Sequence, residues 1–385
     1  MAGKIKFLIF EFIILTILLL SAFIGSNSHK TISADLVLLG ISNVIYHHLV
    51  VAYAQLEGDD GGGEKEEVED SNDEDEDVEN IVAAGNGVDK FGIDKLYPTK
   101  TDGGGGGGRG EEWYMNMLNP IADERFEPIN TVLNKTLYPF YTLTKNTDDG
   151  SWKITSTTPE TKVRMHVFTS TGYNQSKIAT YDHTELASKG YMQSPNDWKN
   201  IEMTGYVKLN DNFDSNEKFQ WFNRGGIHYT STEPNSQPCE GVGYKGNLFY
   251  SGDVRFAKEQ WHVSYEFTEK KEEKTYATTD SSIEGKWIGY KYVVYNIEQN
   301  NNKNNNDIKT VVKMENWLDI DDDGKDWVKV DEYLDDGGWG DEGEECGGEP
   351  DQIITWGGPI ATFRWDNARD VDFKNLSVRE IEVPK

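Results

Sequence analysis

The run Asp319-Ile-Asp321-Asp-Asp323-Gly324 alternates carboxylates in the way that wraps side-chain oxygens round a hard cation, with the glycine supplying a sharp turn. It marks Asp319, Asp321 and Asp323 as candidate calcium ligands. A complete helix-flanked calcium loop carries a bidentate Glu at its twelfth position, where this chain has Val330, followed by Asp331. An acidic hairpin turn is the competing reading. A second gathering is Gln220-Trp-Phe-Asn-Arg224-Gly-Gly-Ile-His228-Tyr, followed by Tyr244-Lys245 and Arg255-Phe-Ala-Lys258. β-Elimination of a uronate needs a cation for the carboxylate, a base for the C5 proton and an acid for the leaving oxygen, roles that Arg224, His228 and Tyr244 could fill. The alternative there is a hydrogen-bonded strand histidine beside surface cations. Aromatic residues make up 12% of the chain. Trp221, Tyr250, Trp261 and Trp356 are candidates to stack on sugar rings, with Arg255 reading hydroxyls, and the competing reading places them in the core.

The elements that would position these groups read as strands. Residues 162–168 and 201–209 alternate apolar and polar side chains. Further runs rich in Val, Ile, Tyr, Trp and Thr cover 244–250, 254–257, 261–267, 287–297, 308–319, 327–334, 353–365 and 371–381. Turn chemistry such as Ser251-Gly-Asp253 separates them. A patch at 91–98 offers a first strand, and helical periodicity is confined to 182–189. About a dozen strands without intervening helices imply antiparallel sheets and an all-β, two-sheet sandwich.

The formal charge of −29 is concentrated. Residues 57–79 hold fourteen Asp or Glu against Lys65 alone, and all eleven Trp lie after residue 112. Such an acidic stretch cannot bury enough apolar area to fold, so residues 55–87 are expected to be a disordered linker. Nucleic acid is disfavoured as a partner because no Lys/Arg run offers phosphate a basic surface. Residues 7–24 are almost wholly apolar behind Lys4 and Lys6, and a weaker apolar segment ends at Ala52-Tyr53-Ala54. Residues 1–54 are therefore either a membrane anchor or a cleaved leader, and both place the body (88–385) outside the cytoplasm. In that setting Cys239 and Cys346 are expected to form one disulfide.

The tail Gly357-Gly-Pro-Ile-Ala-Thr-Phe-Arg-Trp-Asp-Asn-Ala-Arg-Asp-Val-Asp-Phe-Lys-Asn-Leu-Ser-Val-Arg-Glu-Ile381 resembles the closing strands of concanavalin A-like (laminin G/glucanase-type) jelly rolls. Gly285-Lys-Trp-Ile-Gly-Tyr-Lys-Tyr-Val-Val-Tyr295 resembles another strand of that superfamily. The resemblance implies a jelly-roll sandwich, in a superfamily that includes sugar-binding lectins, polysaccharide lyases and glycoside hydrolases. Gly226-Ile-His228 is similar to the Gln-[Ile/Val]-His motif of alginate-lyase-like members, with Gly in place of Gln. The Glu-x-Asp-x-Glu triplet of a retaining glucanase is missing from residues 88–385. The expectation is an exported or surface-tethered sandwich that binds polysaccharide, with possible structural calcium. A uronate-specific polysaccharide lyase and a non-enzymatic adhesion or envelope protein are the alternatives.

Overall fold

The computed structural model describes residues 86–101, 110–132, 141–169, 197–225, 242–260, 264–268, 282–300, 308–340 and 351–384. They all belong to the unit Asp77–Lys385. The apolar N-terminus, the acidic linker, the 182–189 periodicity, Cys239, Cys346, His228 and Trp261 lie outside the described residues. Among the described residues no helix is long and apolar enough to cross a membrane.

Two antiparallel sheets carry the fold, the sandwich that composition and resemblance both implied. One sheet runs β13 (Val328–Asp335), β12 (Ile308–Asp319), β11 (Trp287–Asn300), β6 (Ile201–Asn212), β15 (Ala368–Glu380), β4 (Trp152–Ser156) and β3 (Tyr141–Lys145). Its eighth strand, β1 (Glu112–Tyr114), also pairs with β15. The other runs β10 (Ser264–Phe267), β9 (Val254–Gln260), β8 (Gly243–Phe249), β7 (Lys218–Gly225), β14 (Ile360–Asp366), β5 (Thr161–Phe168) and β2 (Phe126–Val132).

Successive side chains on a strand point to opposite faces. On the seven-stranded sheet the inward set includes Val163, Met165, Phe219, Trp221, Tyr244, Leu248, Phe256 and Phe363, all buried in one hydrophobic cluster with the facing sheet. Trp221 meets Tyr290 at 4.3 Å between ring centroids, and Trp365 meets Phe373 at 5.5 Å. Gly246 permits this close approach, because a Cβ there would lie 2.6 Å from the Tyr290 hydroxyl and 2.6 Å from the Tyr292 ring. A single residue, Asn367, links β14 to β15 and so passes the chain from one sheet to the other. Its φ of 50° is in the left-handed region that Asn tolerates better than most residues.

Two sequence expectations are corrected here. The 91–98 patch is no strand and makes only isolated bridges, Val88 with Asp94 and Thr99 with Ile381. Gly92, at φ 83°, and Pro98 interrupt the extended geometry and the donor row that a strand needs. The apolar run 353–365 is continuous in sequence, yet β14 begins only at Ile360, after Gly357-Gly358-Pro359 breaks it.

Candidate functional site

Each sheet has an outer face, and the two are treated differently. Residues 86–101 lie across the outer face of the eight-stranded sheet. Ile93 and Leu96 form a second hydrophobic cluster there with Tyr206, Val293, Tyr295, Trp317 and Trp327. A buried charge network lies at this contact. The Glu202 carboxylate accepts from Lys291 Nζ at 2.7 Å, from Arg379 Nη2 at 2.6 Å and from the Leu96 amide at 3.2 Å. Arg379 also donates to the Tyr97 carbonyl, and the Asp94 amide donates to the Gly324 carbonyl, each at 2.8 Å. Burial opposes the Glu202 charge, but the two cations outweigh it and hold its pKa below the ordinary carboxylate value. Beneath residues 86–101 this face is sealed with apolar and paired groups.

The outer face of the seven-stranded sheet carries hydrogen-bonding side chains instead. Strand register sets them in rows. Arg164 on β5 lies opposite Arg364 on β14, Arg364 opposite Gln220 on β7, Gln220 opposite Asn247 on β8, and Asn247 opposite Arg255 on β9. Four interstrand steps make this row about 19 Å long. The amides in its middle are buried and the guanidinium residues at its ends are partly exposed. Asn247 Nδ2 donates to the Arg255 carbonyl at 3.1 Å, while Asn247 Oδ1 and Arg255 Nε are buried atoms with no protein partner. A buried polar atom of that kind is expensive unless something satisfies it.

A parallel row holds His166, Thr362, Phe222 and Lys245, one from each of four adjacent strands. The His166 Nδ1 and Thr362 Oγ1 are 2.9 Å apart. Aromatic rings underlie the cations. Lys245 Nζ is 5.0 Å from the Phe222 ring centroid, Arg255 Cζ is 4.7 Å from that of Phe249, and Lys218 Nζ is 5.6 Å from that of Phe267.

The face is cationic although the chain is strongly acidic. Among the described residues it carries Lys162, Arg164, Lys218, Lys245, Arg255 and Arg364 against Glu127, Glu259 and Asp366. Arg364 holds Asp366 with Nε–Oδ1 at 2.8 Å and Nη2–Oδ2 at 2.6 Å, and Lys245 pairs with Glu259 at 2.5 Å. Burial pushes the Lys245 ammonium down to about 8. Glu259 opposes that shift, and the charges of Arg364 and Arg164 add to it. Lys162 is also lowered, first by burial and then by Arg364.

The sequence candidates fall elsewhere. Trp221, Tyr250 and Trp356 are core residues, 0%, 2% and 1% exposed, so none presents a ring to a ligand in this arrangement. The Tyr250 hydroxyl donates to the Asp366 carbonyl at 2.6 Å. Of the sugar-contact candidates in the described residues, only Arg255 lies on the outer face of the seven-stranded sheet, and it is partly exposed.

Arg224 and Tyr244 come together, with the guanidinium carbon 5.9 Å from the ring centroid, but inside the sandwich. A register shift between Ile360 and Thr362, with Arg224 itself at φ 64°, departs from simple alternation there. Arg224 donates to the carbonyls of Ile354 at 2.6 Å and Lys199 at 3.1 Å, and burial lowers its pKa to about 10. Tyr244 donates to Asp335 and accepts from the Ile354 amide at 2.9 Å, and Lys258 pairs with Asp335 at 2.8 Å. These bonds fasten residues 351–354 to the sheets and leave neither side chain directed at the outer face.

The acidic loop is an internally capped turn. Asp319 Oδ1 accepts the amides of Asp321 and Asp322 at 3.0 Å each, and Oδ2 accepts the Gly324 amide at 2.8 Å and the Tyr206 hydroxyl at 2.5 Å. Asp323 accepts the Lys325 amide at 2.8 Å, and Asp321 is exposed. With its lone pairs directed at donors, Asp319 does not fit a calcium ligand in this geometry. Among the described residues no group of three or more His, Cys, Asp or Glu could hold a metal ion.

The row was missed because its members are far apart in sequence. Lys245 and Arg255 stood out beforehand as cations on neighbouring strands, whereas Arg164, Gln220, Asn247 and Arg364 join them only through register.

No family model and no curated protein matches the chain. Among solved structures, a protein of unknown function with a galectin-like fold from Bacillus subtilis is similar at a TM-score of 0.36 and 8% identity, over 70% of this chain and 96% of that one. An alginate lyase from Chlorella virus is similar at a TM-score of 0.31 and 7% identity, over 63% of this chain and 90% of that one. Likenesses this slight assign no activity.

Proposed function

We propose that the domain binds a polysaccharide laid across the strands of the seven-stranded sheet, on its outer face. The observation that carries this reading is the row Arg164–Arg364–Gln220–Asn247–Arg255 on five consecutive strands, in which partly exposed guanidinium side chains flank buried amides. A chain of sugar rings supplies hydroxyls to Arg164, Arg364 and Arg255 and an apolar ring face to Phe267, which is 37% exposed.

Binding is preferred to turnover because Arg224 and Tyr244 are occupied by structural bonds. Calcium plays no part in this reading, since Asp319 is spent on its own turn. The extracellular setting remains part of the proposal and rests on the N-terminal sequence.

The test is co-sedimentation of the full chain with a panel of insoluble and gelled polysaccharides, with ultraviolet absorbance followed for unsaturated ends. Binding that is lost in Arg164→Gln and Arg255→Gln, at unchanged melting temperature, supports the proposal. Binding that both variants retain would sink it. Growth of absorbance would replace binding with elimination as the function.

A further inference from the structure

We infer that Asn375 is an N-glycosylation site, and that its glycan covers the apolar loop 116–122. The inference rests on the extracellular setting proposed above and adds a covalent modification to it.

Asn375-Leu376-Ser377 has the Asn-x-Ser pattern at which exported chains accept oligosaccharides. Asn134-Lys-Thr136 and Asn174-Gln-Ser176 share the pattern but lie outside the described residues. β15 departs from regular pairing at this point. Along it, pairing with β4 stops at Phe373, pairing with β1 starts at Ser377, and the register against β6 shifts between Lys374 and Ser377. Asn375 takes up the irregularity with φ at 56°, a left-handed conformation that asparagine tolerates. Leu376 is buried in the core, whereas Asn375 is partly exposed. Its backbone amide lies 3.4 Å from Met117 Sδ, and among the described residues no hydrogen bond occupies its side-chain amide.

Glycosyl transfer needs that amide free. Asn375 Nδ2 would attack C1 of a lipid-linked oligosaccharyl phosphate, the new N–C1 bond forming as the bond from C1 to the phosphate oxygen breaks. One amide proton and the lipid phosphate leave. The pattern's serine must be reached as well, and in the folded chain Ser377 is 3% exposed, opposite Thr204 on β6 and Tyr114 on β1. Transfer therefore precedes folding. The topology gives it time, because β15 pairs with β6 across more than 150 residues and contacts of such separation form late.

Once the sheet has closed, the sugar stands beside an apolar loop. Met117 touches Asn375, Leu118 is 81% exposed and Ile121 62%, and residues 116–122 carry no charge. On a chain of net charge −29 such neighbours mark a surface that something contacts. The apolar face of a sugar ring fixed at Asn375 supplies that contact.

In the experiment the full chain, with Asn134→Gln and Asn174→Gln so that one sequon remains, is translated without cells in the presence of rough microsomes. Protease protection and gel mobility are read together. The expected result is a protected chain with one mobility shift, reversed by peptide-N-glycosidase and missing from Asn375→Gln and from Ser377→Ala. Chain folded beforehand and then mixed with the solubilised transferase should stay unmodified. Removing the glycan from the folded product should raise the fluorescence of an apolar dye severalfold, and Leu118→Ser should suppress that rise. A protected chain without a shift would overturn the inference and leave the extracellular reading standing, whereas a chain left unprotected would overturn both. Modification of the folded chain would overturn the order of events, and an unchanged dye signal would overturn the covering role.

Discussion

Replacing Glu202 with Gln tests whether the eight-stranded face is sealed by charge as well as by apolar packing. The amide keeps the shape and the acceptor for the Leu96 amide but removes the negative charge between Lys291 and Arg379. All three side chains are at most 3% exposed. Breaking a buried pair leaves an uncompensated ion, at a cost of about 3–5 kcal/mol. Burial has already pushed Lys291 below its ordinary pKa, so it can shed its proton and hold the loss near the lower figure. With a urea slope of about 3 kcal/mol/M, the unfolding midpoint should fall by roughly 1 M or more with the slope unchanged.

The pH dependence follows from the lowered Glu202 pKa. A depressed carboxylate contributes stability that is full above its unfolded value, near 4.5, and is lost as pH falls through the lower folded value. The gap between wild type and Glu202→Gln should therefore be largest near neutral pH and close below pH 4.5. Urea titrations followed by tryptophan fluorescence, with hydrogen exchange over residues 86–101, measure both effects. A midpoint shift below about 0.3 M, or a gap that is constant from pH 7 to pH 3, would refute the argument.

Other expectations follow from the same geometry. Gly246→Ala places a Cβ against Tyr290 and Tyr292 and should cost about 1–3 kcal/mol by overpacking, measured by thermal melting, and a neutral outcome would show that the sheets can separate locally. Lys245 has a folded pKa lowered to about 8, so its burial cost is full below that value and disappears as pH rises toward its unfolded 10.5. Stability measured by urea unfolding should gain in that window, and Lys245→Met should flatten the trend. Millimolar calcium should leave the melting temperature unchanged, whereas Asp319→Ala should destabilise by about 2 kcal/mol or more by orphaning amides in its turn. A rise in melting temperature with calcium would reinstate the loop as a cation site.

The sheets were legible because alternation survives wherever one face of a strand is buried, as in β5 and β6. The short strands β1, β3 and β4 escaped notice since each has five residues or fewer, too few to show a period, and β2 carries Pro128 in its middle. The aromatic candidates misled for a physical reason. Tryptophan and tyrosine are the side chains most suited to stacking on sugars and also the bulkiest fillers for a gap between two sheets, and position in sequence does not separate the two uses. Trp221 and Trp356 serve the second. The acidic loop shows the same ambiguity, because Asp-x-Asp spacing that can cage a cation equally caps its own backbone amides. The outer-face row demanded knowledge of which strand lies beside which, and nothing local to Arg164 announces Arg364 as its neighbour.

The single-residue link at Asn367 has a consequence for the order of assembly. β14 lies between β7 and β5, and β15 lies between β6 and β4, so the last two strands in sequence occupy interior positions in both sheets. Until residues 360–380 are available, each sheet remains two unjoined halves with open edges. Loop-closure entropy must be paid over more than 150 residues before β6 gains its partner in β15, which makes the joining of each sheet a late, non-local step. Ribosome-stalled intermediates ending before residue 360 should accordingly remain protease-sensitive along their whole length.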